Sequence, residues 1–177
     1  MASMITIFFA TSTGKTEDIA QRLASFLDCP TQTCDVDTLS SAQDFCRADA
    51  LICCVPTWNT GADSFRSGTA WDSHVEAISD LNLTGKPVAI LGLGDSSSYS
   101  DYFCDAMEEL HSAFRKSGAR LVGSVPVEGY TFHASKSVIN GRFCGLPIDE
   151  DSEPDLTDDR LRGWAAQLNR EMVALLT

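Results

Sequence analysis

Short apolar runs alternate with amphipathic stretches along nearly the whole chain, and this alternation constrains the fold more than any other feature. Apolar and β-branched residues predict strands over residues 4–10, 31–36, 50–55, 88–93 and 121–127. Apolar residues at helical spacing predict helices over residues 15–27, 41–47, 70–79, 102–116 and 158–175. Strands that are apolar almost throughout and are joined by helices form a parallel sheet covered on both faces. The sequence therefore predicts an α/β fold, doubly wound, with five strands and five helices in one domain over residues 1–177.

Three of the predicted strands are followed by unusual sequence. These segments are residues 11–16 after the first strand, 56–61 after the third and 92–103 after the fourth. In a doubly wound sheet, ligands bind beyond the carboxyl ends of the strands, near the point where the strand order reverses. We therefore expect the three segments to meet at one binding site.

The first of these segments is rich in hydroxyl groups and leads directly into a predicted helix. Unpaired backbone N–H groups and the helix dipole make such a junction an anion site, and its ligand is expected to be a phosphate. The segment looks like a Walker A motif, but Phe9 occupies the position of that motif's first glycine. A P-loop nucleotidase is therefore excluded, and the Thr and Ser side chains suit a terminal phosphate monoester.

The other two segments carry aromatic residues. Trp58 follows the third strand, where it would either pack in the core or contact a ligand, and Tyr99 follows Gly92-Leu93-Gly94-Asp95. Glycines allow the backbone to approach a planar ligand closely, and Asp95 can accept a hydrogen bond from a ring N–H. Together with the phosphate loop, the pattern predicts a phosphorylated planar heterocycle between Trp58 and Tyr99, for which flavin mononucleotide (FMN) is a suitable candidate.

The charge balance limits the classes of partner. With 13 basic and 25 acidic residues, the formal net charge is −12. This charge disfavours nucleic acid and anionic membrane surfaces, whose binding needs basic residues. It favours either steering toward a basic partner or, more simply, solubility. No apolar run approaches the roughly 20 residues of a membrane span, so no membrane insertion is expected. The seven cysteines lack metal-ligand spacing and are expected to be reduced thiols.

The chain contains a series of short motifs in a fixed order. They are residues 11–16, 56–59, 92–95, 140–146, 149–151 and 156–160, together with Tyr99, Asp101 and Phe103. In these motifs the sequence resembles the flavodoxins, specifically the long-chain type, from Met4 to the end of the chain. The segment between the fifth strand and the last helix, about residues 128–157, resembles the insertion that interrupts the fifth strand in long-chain members.

The resemblance implies a five-stranded parallel sheet of order 2-1-3-4-5 and a low-potential carrier of single electrons rather than an enzyme. Non-covalent FMN would pass between its quinone, semiquinone and hydroquinone states, and the protein would substitute for a ferredoxin. Implied partners are basic redox proteins such as a ferredoxin–NADP reductase and, in a photosynthetic source, photosystem I. The carrier would be a monomer.

The resemblance also implies the residues that hold the cofactor. The phosphate would be bound by Thr11, Ser12, Thr13, Gly14, Lys15 and Thr16. The rest of the cofactor would lie near Pro56, Thr57, Trp58, Asn59, Thr60, Gly61, Leu93, Gly94, Asp95, Tyr99, Tyr102, Phe103, Cys104 and, more peripherally, Asp151. The peptide between Asn59 and Thr60 would reorient toward flavin N5 on reduction.

One loop departs from many members of the family. Residues 62–72 form a longer loop that resembles algal flavodoxins most, which implies a location in the chloroplast stroma for an algal source and otherwise in the bacterial cytoplasm. Thr60 replaces a glycine of some relatives, and its side chain is expected to make the peptide reorientation more costly. Phe65 in this loop is a further candidate to cover the flavin edge or a partner.

Two other classes of protein share the predicted topology. An FMN-dependent NAD(P)H:quinone oxidoreductase would need space for a nicotinamide at the ring face, where Trp58 and Tyr99 are expected. A receiver-type signalling module would need paired acidic residues after the first strand, where this chain has Ala10-Thr11-Ser12. Trp71 and Trp164 lie on apolar helical faces and are expected in the core. His74, His111 and His133 are isolated and are expected to be surface or hydrogen-bonded polar residues.

Overall fold

A parallel β-sheet forms the centre of the computed structural model, which describes residues 2–176. Its principal strands are β1 (Ile5–Phe9), β2 (Thr31–Asp35), β3 (Ala50–Pro56), β4 (Pro87–Leu93) and β5 (Arg120–Val122), in the spatial order β2-β1-β3-β4-β5. Strands β1, β3 and β4 are buried along their whole length. The predicted fold class and strand order are confirmed.

Two pairs of helices cover the sheet. Helix α1 (Lys15–Phe26) packs against α4 (Thr157–Glu171), and α2 (Val75–Ser79) packs against α3 (Ala106–Lys116). The longer helices bury one apolar face each, because their apolar residues recur every three or four positions. On α1 this face includes Ile19 and Leu23.

The fifth strand is interrupted. The predicted strand over residues 121–127 is wrong in its extent, since β5 ends at Val122 and Gly123 has a left-handed φ of +84°. The chain then forms a small antiparallel sheet from β6 (Val125–Pro126), β7 (Val138–Ile139) and β8 (Arg142–Phe143), in the order β6-β8-β7. It returns as β9 (Leu146–Ile148), which pairs with β4 beyond the end of β5. The interruption implied by the resemblance is therefore present.

Gly145 makes the return of the chain possible. A Cβ atom at this position would lie 1.9 Å from the carbonyl oxygen of Ile90 in β4. Only a residue without a side chain allows this approach. Strand β9 therefore reaches β4 and leads residues 149–152 to the carboxyl edge of the sheet.

Four predicted helices differ in their bounds or type. Residues 42–47 form a 3₁₀ helix, and the predicted helix over residues 70–79 divides into a 3₁₀ turn at Ala70–Ser73 followed by α2. Helix α3 begins at Ala106 rather than at residue 102, because Cys104 has a left-handed φ of +54° that an α-helix does not allow. Helix α4 ends at Glu171 and is followed by a 3₁₀ turn at Val173–Leu175.

Both predicted core tryptophans are buried, and each indole N–H has a partner. The indole of Trp71 donates to the carbonyl of Cys54 at 2.9 Å, and that of Trp164 donates to the carbonyl of Gly123 at 2.8 Å. Cys53, Cys54, Cys104 and Cys144 are buried free thiols, and burial raises the pKa of Cys144 to about 12. These thiols therefore stay protonated at neutral pH. Within residues 2–176, no helix is long and apolar enough to cross a membrane.

Candidate functional site

The loops at the carboxyl edge of the sheet enclose a cleft of about 290 Å³. The loops after β1, β3 and β4 contribute to it, as expected from the topology, and the segment after β9 contributes a fourth side. The cleft is lined by Thr13, Lys15, Thr16, Pro56, Thr57, Trp58, Leu93, Gly94, Asp95, Ser98, Tyr99, Glu150 and Asp151. All of these except Ser98 and Glu150 are predicted from the sequence.

The loop after β1 exposes the start of α1 to the cleft. Gly14 precedes the helix with a left-handed φ of +89°, and its amide donates to the Thr11 hydroxyl at 2.8 Å. In the described part of the chain, no side chain caps the first turn of α1. Its N–H groups therefore remain available to an anion, and the helix dipole adds to the attraction.

Within residues 2–176, Lys15 is the only residue with a cationic side chain that lines the cleft. Its ammonium group forms an ion pair with Asp151, and this hydrogen bond is the main reason why the pKa of Lys15 is raised. Asp151 lies in the segment after β9, so the pair joins this segment to the start of α1, directly after the loop between β1 and α1. The cation is thereby held at the end of the cleft that the first turn of α1 faces.

Arg22 on α1 forms an ion pair with Glu150, which precedes Asp151 in the segment after β9. Its guanidinium group lies 3.4 Å from a carboxylate oxygen of Glu150 and 2.8 Å from one of Asp158. The other carboxylate oxygen of Glu150 is buried and has no hydrogen-bond partner within residues 2–176. This oxygen is therefore a buried acceptor in a residue that lines the cleft, and the described residues leave its hydrogen-bonding capacity unused.

Two carboxylates shape the loop after β4. One oxygen of Asp95 accepts hydrogen bonds from the amides of Ser97 and Ser98, both at 3.1 Å, and from the Ser152 hydroxyl at 2.8 Å. Burial alone would raise the pKa of Asp95, but the hydrogen bonds outweigh it and the pKa is lowered. Asp149 is fully buried and accepts from the amide of Ser96 at 3.0 Å and from that of Ser152 at 2.8 Å. The loop is therefore tied to the segment after β9 by side chains of both.

The aromatic residues of the cleft are open to solvent. Trp58 is 50% exposed and Tyr99 is 49% exposed, although both are large and largely apolar. The two rings come from different loops and line the same cleft. Exposed aromatic surface of this kind marks a binding site, and a planar ligand would bury it.

Some predicted site residues lie outside the lining of the cleft. Thr11, Ser12 and Gly14 shape the turn before α1, and Asn59, Thr60 and Gly61 lie farther along the loop after β3. Tyr102 is exposed, and its ring lies against Gly61. Phe103 and Cys104 are fully buried. Phe103 packs against Phe132 and Phe143 of the insertion, with ring centroids 5.7 and 6.1 Å away.

Ser98, Glu150 and the buried Asp149 were not predicted as site residues. Ser98 lies in the serine run between Asp95 and Tyr99, and both acids belong to the acidic run of residues 149–155. The sequence signal was therefore present, but only the pairing of β9 with β4 brings Glu150 to the cleft and Asp149 against the loop that carries Ser98.

The geometry defines a class of protein. A doubly wound parallel sheet carries a cleft at its carboxyl edge, with an uncapped helix start and a cation at one end and two exposed aromatic rings along it. Such a cleft matches one phosphate joined to one planar ring system. The fold and site are those of a mononucleotide-binding protein with a doubly wound sheet.

Comparison with known proteins identifies the family within this class. The family model described as "Flavodoxin" matches residues 7–164. The chain is 36% identical over 171 residues to a flavodoxin of Haemophilus influenzae, covering 96% of each chain. It is 38% identical over 169 residues to a flavodoxin of Synechococcus elongatus, covering 94% of this chain and 96% of the relative. The chain belongs to the flavodoxin family, and its interrupted fifth strand is consistent with the long-chain type.

A solved structure gives the same fold and shows a ligand. The flavodoxin of Fusobacterium nucleatum bound to flavin mononucleotide superimposes with a TM-score of 0.85 at 28% identity, covering 97% of this chain and 99% of that one. Flavodoxins are electron-transfer flavoproteins rather than enzymes.

Proposed function

We propose that this chain holds one FMN non-covalently in the cleft and carries electrons one at a time between redox proteins, as a single domain over residues 1–177. The observation that carries the proposal is the cleft itself, in which an uncapped helix start and two exposed aromatic rings lie at the same edge of the sheet. Bound FMN supplies one-electron redox chemistry.

The residues divide the binding between the two ends of the cofactor. Residues 11–16 would hold the phosphate through hydroxyl groups, helix amides and the ammonium group of Lys15. Trp58 and Tyr99 would cover the ring, with Pro56, Thr57, Leu93 and Gly94 along its edge. Residues 59–61 and 102–104 would support these contacts from behind, and Glu150 and Asp151 would accept from the sugar-alcohol hydroxyls.

The negative charge around the cleft would lower the potential at which the bound flavin accepts its second electron. Asp95, Glu150 and Asp151 line it, in a chain of net charge −12. Negative potential disfavours the addition of further negative charge to the ring. The second electron should therefore be accepted only at low potential, which suits a donor of single electrons.

The acidic surface also supports a class of partner. Charge complementarity steers a chain of −12 toward basic proteins, such as a ferredoxin–NADP reductase or, in a photosynthetic source, photosystem I. In that setting the carrier would act as a monomer in the chloroplast stroma of an alga or in a bacterial cytoplasm.

A quinone oxidoreductase is the alternative of different class, and the site does not favour it. A nicotinamide would have to reach a ring face, whereas Trp58 and Tyr99 flank the cleft from two loops. The family comparisons also place the chain among electron carriers.

Visible spectra recorded during stepwise reduction with dithionite test the proposal. We expect a yellow protein whose spectrum passes through a long-wavelength band of half-reduced flavin before it bleaches. Bleaching in a single step, with NADPH alone as reductant, would favour the oxidoreductase. A colourless protein that added FMN does not restore would refute both functions.

A further inference from the structure

The loop after β3 is a hairpin whose return segment holds its outgoing segment in place. The amide of Trp58 donates to the carbonyl of Ser67 at 3.2 Å, and the amide of Asn59 donates to the carbonyl of Arg66 at 3.0 Å. The side-chain amide of Asn59 donates to the carbonyl of Phe65 at 2.7 Å. The backbone positions of Trp58 and Asn59 therefore depend on where residues 65–67 are held.

A charged cluster fastens the return segment to the first turn of α3. Arg66 is only 8% exposed, and its guanidinium group donates to Glu108 at 2.7 Å and to the backbone carbonyl of Asp105 at 3.2 Å. The amides of Phe65 and Arg66 donate to the two carboxylate oxygens of Glu109, at 2.7 and 2.6 Å. A hydrogen-bonded charge pair with a buried guanidinium group and a half-buried carboxylate fixes geometry more strongly than an exposed pair.

Arg66 also closes the tip of the hairpin. Its Nε atom donates to the carbonyl of Ala62 at 3.2 Å, and its Nη2 atom donates to that of Asp63 at 3.0 Å. One side chain therefore binds both the tip of the loop and the helix behind it.

Phe65 is strained, and the same contacts maintain the strain. Its φ of +56° is in the left-handed region, which is unfavourable for a residue with a large side chain. Its amide is held by Glu109 and its carbonyl by Asn59. Such a conformation persists only where the surroundings determine it from several sides, and strain of this kind concentrates at functional loops.

We propose that Arg66, with Glu108 and Glu109, is a positioning residue for the ring side of the cleft. Arg66 does not line the cleft. It acts through the hairpin, by keeping Trp58 and the peptide between Asn59 and Thr60 in the place where they meet the flavin ring. The proposal rests on the proposed function for the location of the ring, and it assigns a role to the long loop of residues 62–72.

Hydrogen exchange in the flavin-free protein tests whether Arg66 holds the backbone of Trp58 and Asn59 in place. In Arg66→Ala, the amides of Trp58 and Asn59 should exchange at least tenfold faster than in the parent protein, whereas the amides of β4 should be unchanged. The control is Arg47→Ala, since Arg47 is exposed and forms an ion pair only with Asp44 within residues 2–176. Unchanged exchange at Trp58 and Asn59, or equal acceleration in β4, would overturn the proposal.

Ligand titrations test whether this positioning supports binding of the flavin ring. Because the cluster acts on the ring side, Arg66→Ala should raise the dissociation constants of FMN and of riboflavin by the same factor, about tenfold. A change confined to FMN, or no change in either dissociation constant, would overturn the proposal.

Glu109→Gln provides a milder variant if Arg66→Ala does not fold. It keeps one acceptor oxygen for two amides and should show the same pattern with a smaller factor, about threefold. A parent protein that fails to bind FMN would refute the proposed function, whereas a parent that binds and variants that match it would refute only the role of Arg66.

Discussion

Replacement of Asp149 by asparagine should weaken both the fold and the cleft. The carboxylate is 0% exposed and accepts three hydrogen bonds, from the amide and hydroxyl of Ser96 and from the amide of Ser152. Asparagine keeps one acceptor oxygen and places an NH₂ group against the remaining donors, so that one or two buried donors lose their partner. Hydrogen bonds to a charged group contribute about 1.5–3 kcal/mol each, so the free energy of unfolding should fall by about 2–4 kcal/mol.

The same change should reduce the affinity for FMN. The Ser96 contact anchors the loop that carries Asp95 and Tyr99, and the Ser152 contact positions the Ser152 hydroxyl, which donates a hydrogen bond to Asp95. A loss of about 1.4 kcal/mol of preorganisation in this loop corresponds to a tenfold rise in the dissociation constant. Urea unfolding of the flavin-free protein and fluorescence titration with FMN measure the two effects.

Asp155→Asn is the matched control. Asp155 belongs to the same acidic run, and its replacement by asparagine removes the same charge. Asp155 is exposed, however, and its side chain has no hydrogen bond in the described part of the chain. Its free energy of unfolding should change by no more than about 0.5 kcal/mol. If Asp149→Asn is as stable as this control, the reasoning from buried hydrogen bonds is refuted.

Three further changes give distinct outcomes. Lys15→Gln removes the ammonium group paired with Asp151 and should raise the dissociation constant of FMN about three- to tenfold while leaving that of riboflavin unchanged, which parallel titrations will show. Gly145→Ala places a Cβ atom 1.9 Å from the carbonyl oxygen of Ile90, and forcing the strands apart should cost about 3 kcal/mol in urea unfolding. The pKa of Asp95 is lowered because hydrogen bonds outweigh burial, so its stabilising effect is complete above about pH 4 and is lost as the pH falls further. Unfolding of Asp95→Asn, followed from about pH 5 to pH 2.5, should therefore depend less on pH than that of the parent protein, and an equal dependence would contradict this assignment.

Local pattern was sufficient for the architecture and for most of the cleft. Apolar runs and helical spacing are properties of neighbouring residues, so the five principal strands and the hydroxyl-rich loop before α1 could be placed from sequence alone. The topological rule then brought three loops to one edge, which is why Trp58 and Tyr99 were expected together. The bounds of α3 were not accessible in this way, because the left-handed conformation of Cys104 is imposed by its surroundings.

The sequence by itself determined the succession of strands and helices along the chain, the hydroxyl-rich loop before α1 and the aromatic residues of the cleft, since each depends on residues adjacent along the chain. Only the tertiary structure decided that Glu150 lines the cleft and that the buried Asp149 anchors the loop after β4, because the chain first leaves the sheet and β9 then pairs with β4. It likewise decided that Arg66 joins the loop of Trp58 to Glu108, 42 positions away. Contacts at such separations depend on how elements pack in space, and no local periodicity encodes them.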